Sequence, residues 1–87
     1  MKQEPENVKD ACAARVTKLC MERTISYNEL ANRCGITPST IYSIMDKTRH
    51  DISLITVKRL CDGLEITLEE FFSSPLFDSL PPGSEDR

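Results

Sequence analysis

Four stretches of the chain share one pattern of apolar and polar positions: ISYNEL from Ile25, ITPSTI from Ile36, ISLITV from Ile52 and ITLEEF from Ile66. In each, an isoleucine precedes Ser or Thr, three variable residues follow, and an apolar residue closes the frame. A Ser or Thr so placed is an N-cap, whose hydroxyl accepts from an N–H of the first helical turn. The isoleucine before it can pack on the apolar residue five positions later as a hydrophobic staple. In ISYNEL and ITLEEF, Glu29 and Glu70 stand three residues past the cap and complete a capping box. In ITPSTI, Pro38 takes the first helical position, where a missing N–H costs nothing. Helical spacing after every copy makes these four helix starts.

The rest of the pattern fills in the helices. Asn7 caps a first helix over about 8–22, with Val8, Cys12, Val16, Leu19 and Cys20 along its buried face. A second follows Ser26, turns Tyr27, Leu30, Ala31 and Cys34 inward, and ends at Gly35, a residue suited to the left-handed conformation. The third runs over about 38–46 with Ile41, Ile44 and Met45 inward. After the polar loop KTRHD comes a fourth over about 54–63, with Leu54, Val57, Leu60, Cys61 and Leu64 as its apolar positions. A fifth follows Thr67 and buries Leu68, Phe71 and Phe72. Ser74-Pro75 opens another start with Leu76, Phe77 and Leu80, and PPGSEDR reads as a disordered tail. The alternation expected of a strand is missing, so the expectation is one all-α domain, in three parts: a flexible N-terminus 1–6, a helical domain 7–73 and a C-terminal extension 74–87.

Composition changes this picture little. Eighty-seven residues suffice for a single core. No apolar run reaches the length of a membrane span and no signal peptide precedes the first helix, so a soluble, cytoplasmic protein is expected. The four cysteines form no C-x-x-C pair, and His50 is the one histidine. They sit at apolar helix positions and read as small buried residues, with no metal and no cofactor expected. Nor is there a nucleophile beside a base, a Gly-rich phosphate loop or a facing carboxylate pair, so no enzyme and no small-molecule ligand are expected.

Charge changes more. The net charge is −3, which argues against a nucleic-acid partner until its distribution is examined. From Arg23 to Arg59 six basic residues stand against Glu29, Asp46 and Asp51, a local +3, and the remainder carries −6. A locally basic middle can face phosphate on one side of an acidic protein.

The separation of the second and third helices by a short turn at Gly35 is helix-turn-helix spacing. Leu30, Ala31, Cys34, Gly35, Ile36, Ile41 and Ile44 hold the residue classes that such a unit requires: a small residue where the helices cross, a glycine at the turn, and apolar braces. The stretch from Ile25 to Phe72, with NELANRCGITPSTI and LCDGLEITLEEFF as its strongest parts, resembles the Cro and phage-repressor type of helix-turn-helix regulator, also called the XRE family. The resemblance covers about 8–73.

It implies a compact five-helix bundle of the lambda-repressor-like DNA-binding type with a central helix-turn-helix. It also implies a homodimer on double-stranded operator DNA, repressing transcription, with the third helix in the major groove. Matched position by position, Thr37, Pro38, Ser39, Tyr42 and Ser43 would face the bases, and Ser26, Tyr27, Thr40, Lys47, Thr48 and Arg49 the phosphates. The helical wheel agrees: with Ile41, Ile44 and Met45 inward, Ser39, Ser43 and Asp46 point away, flanked by Tyr42 and Lys47. An uncharged helix start of hydroxyls and free N–H groups suits phosphate and base edges, where an acidic cap would repel them.

This chain departs from the family pattern in three places. Its third helix lacks the Arg or Gln that often reads bases, which shifts the expectation toward thymine methyl groups and DNA shape. Cys20 and Met45 replace a common Arg–Glu pair, and the loop after the third helix is about one residue longer. His50 is expected to be a plain loop residue. Phe72, Leu76, Phe77 and Leu80 exceed what so small a bundle can bury and are the dimerisation candidates. The competing reading is a protein-interaction module, an antitoxin or anti-regulator that keeps the fold without binding DNA.

Overall fold

In a computed structural model the described residues are 5–86. The first helix, α1 (Val8–Arg23), starts where Asn7 accepts from the Asp10 N–H. It is followed by α2 (Tyr27–Cys34), α3 (Pro38–Met45), α4 (Leu54–Leu64), α5 (Leu68–Phe72) and α6 (Pro75–Asp78), and among the described residues there is no strand. The domain is therefore all-α, with α6 as a sixth, short helix beside the five that the resemblance implies. No helix among these residues is long and apolar enough to cross a membrane.

The repeated frame marks three identical corners. α1 ends on Thr24, α2 on Gly35 and α4 on Glu65, all with left-handed backbone, at φ 54°, 69° and 60°. In each case the next residue, Ile25, Ile36 or Ile66, returns its N–H to a carbonyl five residues back: Cys20, Ala31 and Cys61, at 3.1, 3.1 and 3.0 Å. This double-bonded stop satisfies the last carbonyls of the helix. The same isoleucine packs against the core, and the Ser or Thr that follows opens the next helix. One helix is thus stopped and the next started within three residues.

Two caps differ from expectation. Thr67 and Glu70 form the full box on α5, but on α2 only Ser26 accepts from Glu29; the glutamate turns outward to Arg33 Nη2 at 2.9 Å. On α3 the Thr37 side chain makes no bond to the backbone of the first turn and instead joins the hydroxyls of Ser39 and Thr40 at 2.9 and 3.2 Å. Three adjacent hydroxyls satisfy one another there, leaving Thr37 no need to cap.

The core comprises Val16, Leu19, Leu30, Ala31, Ile41, Ile44, Val57, Leu60, Leu64 and Phe71, together with all four thiols. α1 crosses α3, α2 crosses α4, and α6 lies on α1. Cys12, Cys20, Cys34 and Cys61 are buried free thiols, and burial raises the pKa of each, that of Cys12 and Cys34 to about 11. The buried face of α1 is the expected one at Cys12, Val16, Leu19 and Cys20 and differs at its start. Val8 is exposed, and its place is taken by Lys9, only 1% exposed. The apolar pattern favoured the valine; the lysine goes inside because backbone carbonyls from another helix await it there. Leu54, at the start of α4, also faces solvent, since the N-terminal turn of that helix overhangs the core.

Phe71, Phe72 and Phe77 stack with ring centroids 4.9–6.0 Å apart, which attaches the C-terminal extension to the bundle. Two guanidinium bonds, Arg15 Nε to Phe71 O and Nη2 to Glu70 O, both 2.8 Å, cap the end of α5 from α1. Within the closing segment, Ser84–Asp86 form one 3-10 turn, and Glu85 Oε2 accepts from the Val8 N–H at 2.6 Å. A carboxylate there complements the positive end of α1.

Candidate nucleic-acid interface

α2 and α3 meet at Gly35, where Ala31, fully buried, lets the two rods approach. Ile36, Ile41 and Ile44 hold the second rod against the core, so its opposite side is presented outward. Thr37, Pro38, Ser39 and Tyr42 are exposed; Thr40 and Ser43 are half-buried. The first turn of α3 has no acidic residue, and its Thr37 side chain leaves the early N–H groups uncapped. That first turn carries hydroxyls, a proline ring and backbone donors, with no fixed negative charge to oppose an anion.

Tyr42 is half exposed and braced from behind. Its ring meets Tyr27 edge-on at 6.0 Å, and the Tyr27 hydroxyl is bonded to Thr17 Oγ1 at 2.8 Å. The Tyr27 ring, tied to α1, holds the outer ring of Tyr42 in place. The brace uses one hydrogen bond of the Tyr27 hydroxyl, which accepts from Thr17 or donates to it. Beside it an open recess of about 790 Å³ runs past Met21, Thr24, Ser26 and Asn28 to Tyr42. Asn28, exposed on the first turn of α2, was not singled out from sequence because its position carries no apolar or charge signal.

The loop after α3 is built by Asp46. Its Oδ1 accepts from the Thr48 N–H at 2.9 Å and from the Thr48 hydroxyl at 2.7 Å, and Arg49 Nε approaches Oδ2 at 3.7 Å. The two bonds from Thr48, with the Arg49 charge helping, hold the Asp46 carboxyl below the usual carboxylate range. A carboxylate on the outward side of α3, which by its charge would repel phosphate, is therefore the organiser of the turn, a common use of Asp. Thr48 points its hydroxyl into this turn, Arg49 keeps most of its guanidinium in solvent, and Lys47 stands exposed outside the pair. Behind the loop, Lys9 Nζ donates to Ile44 O at 2.8 Å and Asp46 O at 2.6 Å. Only tertiary structure reveals that residue, which lies 35 and 37 positions from its partners.

The dimerisation candidates are half-buried: Phe72 and Phe77 in the ring stack, with Leu76 and Leu80 beside them. The large apolar side chains most open to solvent lie elsewhere, at Met21, Leu54 and Ile55. Among the described residues no group of His, Cys, Asp or Glu is arranged to hold a metal.

Comparison with known proteins gives one finding. A family model described as the Cro/C1-type HTH DNA-binding domain matches residues 15–75. No curated protein and no solved structure matches the chain.

Proposed function

This chain belongs to the Cro/C1-type helix-turn-helix DNA-binding family and is a DNA-binding regulator, and on that premise we propose that it is a sequence-specific repressor with α3 in the major groove. The observation that supports this reading is the outward side of α3, uncharged and uncapped at its start, with Thr37, Pro38, Ser39 and Tyr42 free of the core. Hydroxyls and helix N-terminal amides match phosphate oxygens and base edges. We assign base contact to Thr37, Pro38, Ser39, Tyr42 and Ser43. Phosphate contact falls to Ser26, Tyr27, Thr40, Lys47 and Arg49, with Lys47 and Arg49 supplying the charge, while Thr48, whose N–H and hydroxyl are both given to Asp46, serves the contact by shaping the loop.

The functional domain in this proposal spans 7–73, with 74–87 as its extension. Two copies bound to a palindromic site would place their α3 helices one DNA turn apart, about 34 Å. The partly exposed edges of Phe72, Leu76, Phe77 and Leu80 are the surface assigned to that contact. With short side chains on α3, discrimination would come from thymine methyl groups and groove shape more than from paired hydrogen bonds.

Selection of bound sequences from a random duplex pool tests the proposal. The expected result is an enriched palindrome whose affinity falls steeply with salt. A pool that emerges unenriched, with no duplex retained at low salt, would refute it and leave the fold serving a protein partner.

A further inference from the structure

The geometry points to Lys9 as a positioning residue that sets the C-terminal end of the recognition helix and the loop behind it. The short helix α3 has eight residues and no basic residue in its last turn, so nothing of its own complements its negative end. An isolated helix of that length does not persist in water, and its direction depends on what grips each end. The N-terminal end is held by Ile36 and Ile41 in the core. At the other end, Lys9 reaches across from α1 and donates to the carbonyls of Ile44 and Asp46 at 2.8 and 2.6 Å. A third, looser interaction with Asp10 Oδ1 at 3.7 Å completes its surroundings.

The placement links two separate pieces of chain. Ile44 is the last buried residue of α3, whereas Asp46 is already extended at ψ 114° and begins the turn that its own carboxylate organises through Thr48. One ammonium thus spans the point where the helix stops and the loop starts. Tyr42 and Ser43 lie on the final turn before that point, and Lys47 and Arg49 lie just after it. Their common frame of reference is a side chain that is itself only 1% exposed and beyond direct contact with a duplex. Met45, between these two carbonyls, receives from α1 a weak, uncharged bond of Thr17 Oγ1 to its Sδ at 3.7 Å. Lys9 makes the stronger junction, from the start of α1 to the two carbonyls on either side of Met45.

The functional half of this inference rests on the DNA reading above, and the test separates the two. Lys9→Met keeps the packed stem and removes all three donors. In the free protein, amide exchange at Asp46, Thr48 and Arg49, whose N–H groups are bonded in this turn, should quicken about tenfold while amides in α4 keep their protection. On a duplex selected with the wild type, affinity should fall about tenfold with an unchanged salt slope, because no phosphate contact is lost. Lys9→Gln, which retains two donors on a shorter arm, should fall between the two. Exchange that stays at the wild-type rate in Lys9→Met overturns the assignment. So does a rise spread evenly over every helix in both variants, which would make Lys9 a general core residue. A salt slope reduced by about one unit overturns it in favour of direct phosphate contact. If the wild type retains no duplex, the DNA reading fails by itself, and the exchange pattern still judges the anchor.

Discussion

Gly63→Ala sets two known effects against each other. Gly63 lies inside α4, where alanine would ordinarily gain about 0.8–1 kcal/mol of helix propensity. This glycine faces α2 at the helix crossing. A methyl group there would overlap Cys34 Sγ and stand 3.0 Å from both the Arg33 carbonyl carbon and Cys34 Cα. The thiol has little room to withdraw, since Cys34 is buried and its Sγ is directed at Leu60 O. Relief therefore requires α2, the first arm of the helix-turn-helix, to move away from α4. Overpacking of this kind costs about 1–3 kcal/mol, so with the propensity gain subtracted the net expectation is a loss of up to about 2 kcal/mol. For a domain of this size a loss of that order lowers Tm by up to roughly 15 °C. Thermal and urea unfolding followed by circular dichroism would measure it in Gly63→Ala, Cys34→Ala and the double variant. Removing the thiol should recover part of the loss, giving a favourable coupling of about 0.5 kcal/mol or more. A Gly63→Ala protein as stable as the wild type, or more so, would refute the close approach. A coupling of zero would place the conflict on the α2 backbone and not on sulfur.

The other expectations are shorter. Glu65→Gly should raise stability by about 1 kcal/mol in urea titration, because a non-glycine residue at φ 60° carries a steric penalty; Gly35→Ala should lower it by a similar amount at φ 69° although the space there is open. Cys12 and Cys34 stay protonated up to about 11 when folded, from an ordinary 9.0. Both states hold the proton at neutral pH, so this stabilisation is fully present there. It is lost as the unfolded chain ionises first, at roughly 1.4 kcal/mol per pH unit per thiol between those two values. Urea midpoints at pH 7, 9 and 10 would show the decline, which Cys12→Ala with Cys34→Ala should flatten. Lys47→Ala should weaken every duplex alike and reduce the salt slope by about one, as read by fluorescence anisotropy. Tyr42→Ala should instead alter the sequences recovered from a random pool.

The fold was legible wherever local chemistry decides it. Each Ile-Ser or Ile-Thr frame marks a helix start, and Gly35 marks a stop, because cap and turn preferences act within a few residues. Thr24 and Glu65 make the same stop as Gly35 with no sign in their residue type, since the following isoleucine and its long-range packing impose the conformation. The burial of Lys9 in place of Val8 escapes the sequence for the same reason: an apolar pattern cannot know that a carbonyl from α3 lies over α1. For the site, the exposed positions of α3 follow from its buried ones, which periodicity shows. The role of Asp46 does not, because whether a carboxylate meets solvent, phosphate or its own loop depends on where Thr48 folds back.

The three corners at Thr24, Gly35 and Glu65 have a mechanical consequence. With no slack residue at these joints, α1, α2 and α3 form one stiff wedge, as do α4 and α5, and the only lengthy span between the two groups is the stretch from Asp46 to Ser53. A wedge of this kind cannot mould itself to an ill-shaped site. Bending and twisting would fall to the duplex, and sequences would be sorted by how cheaply they deform.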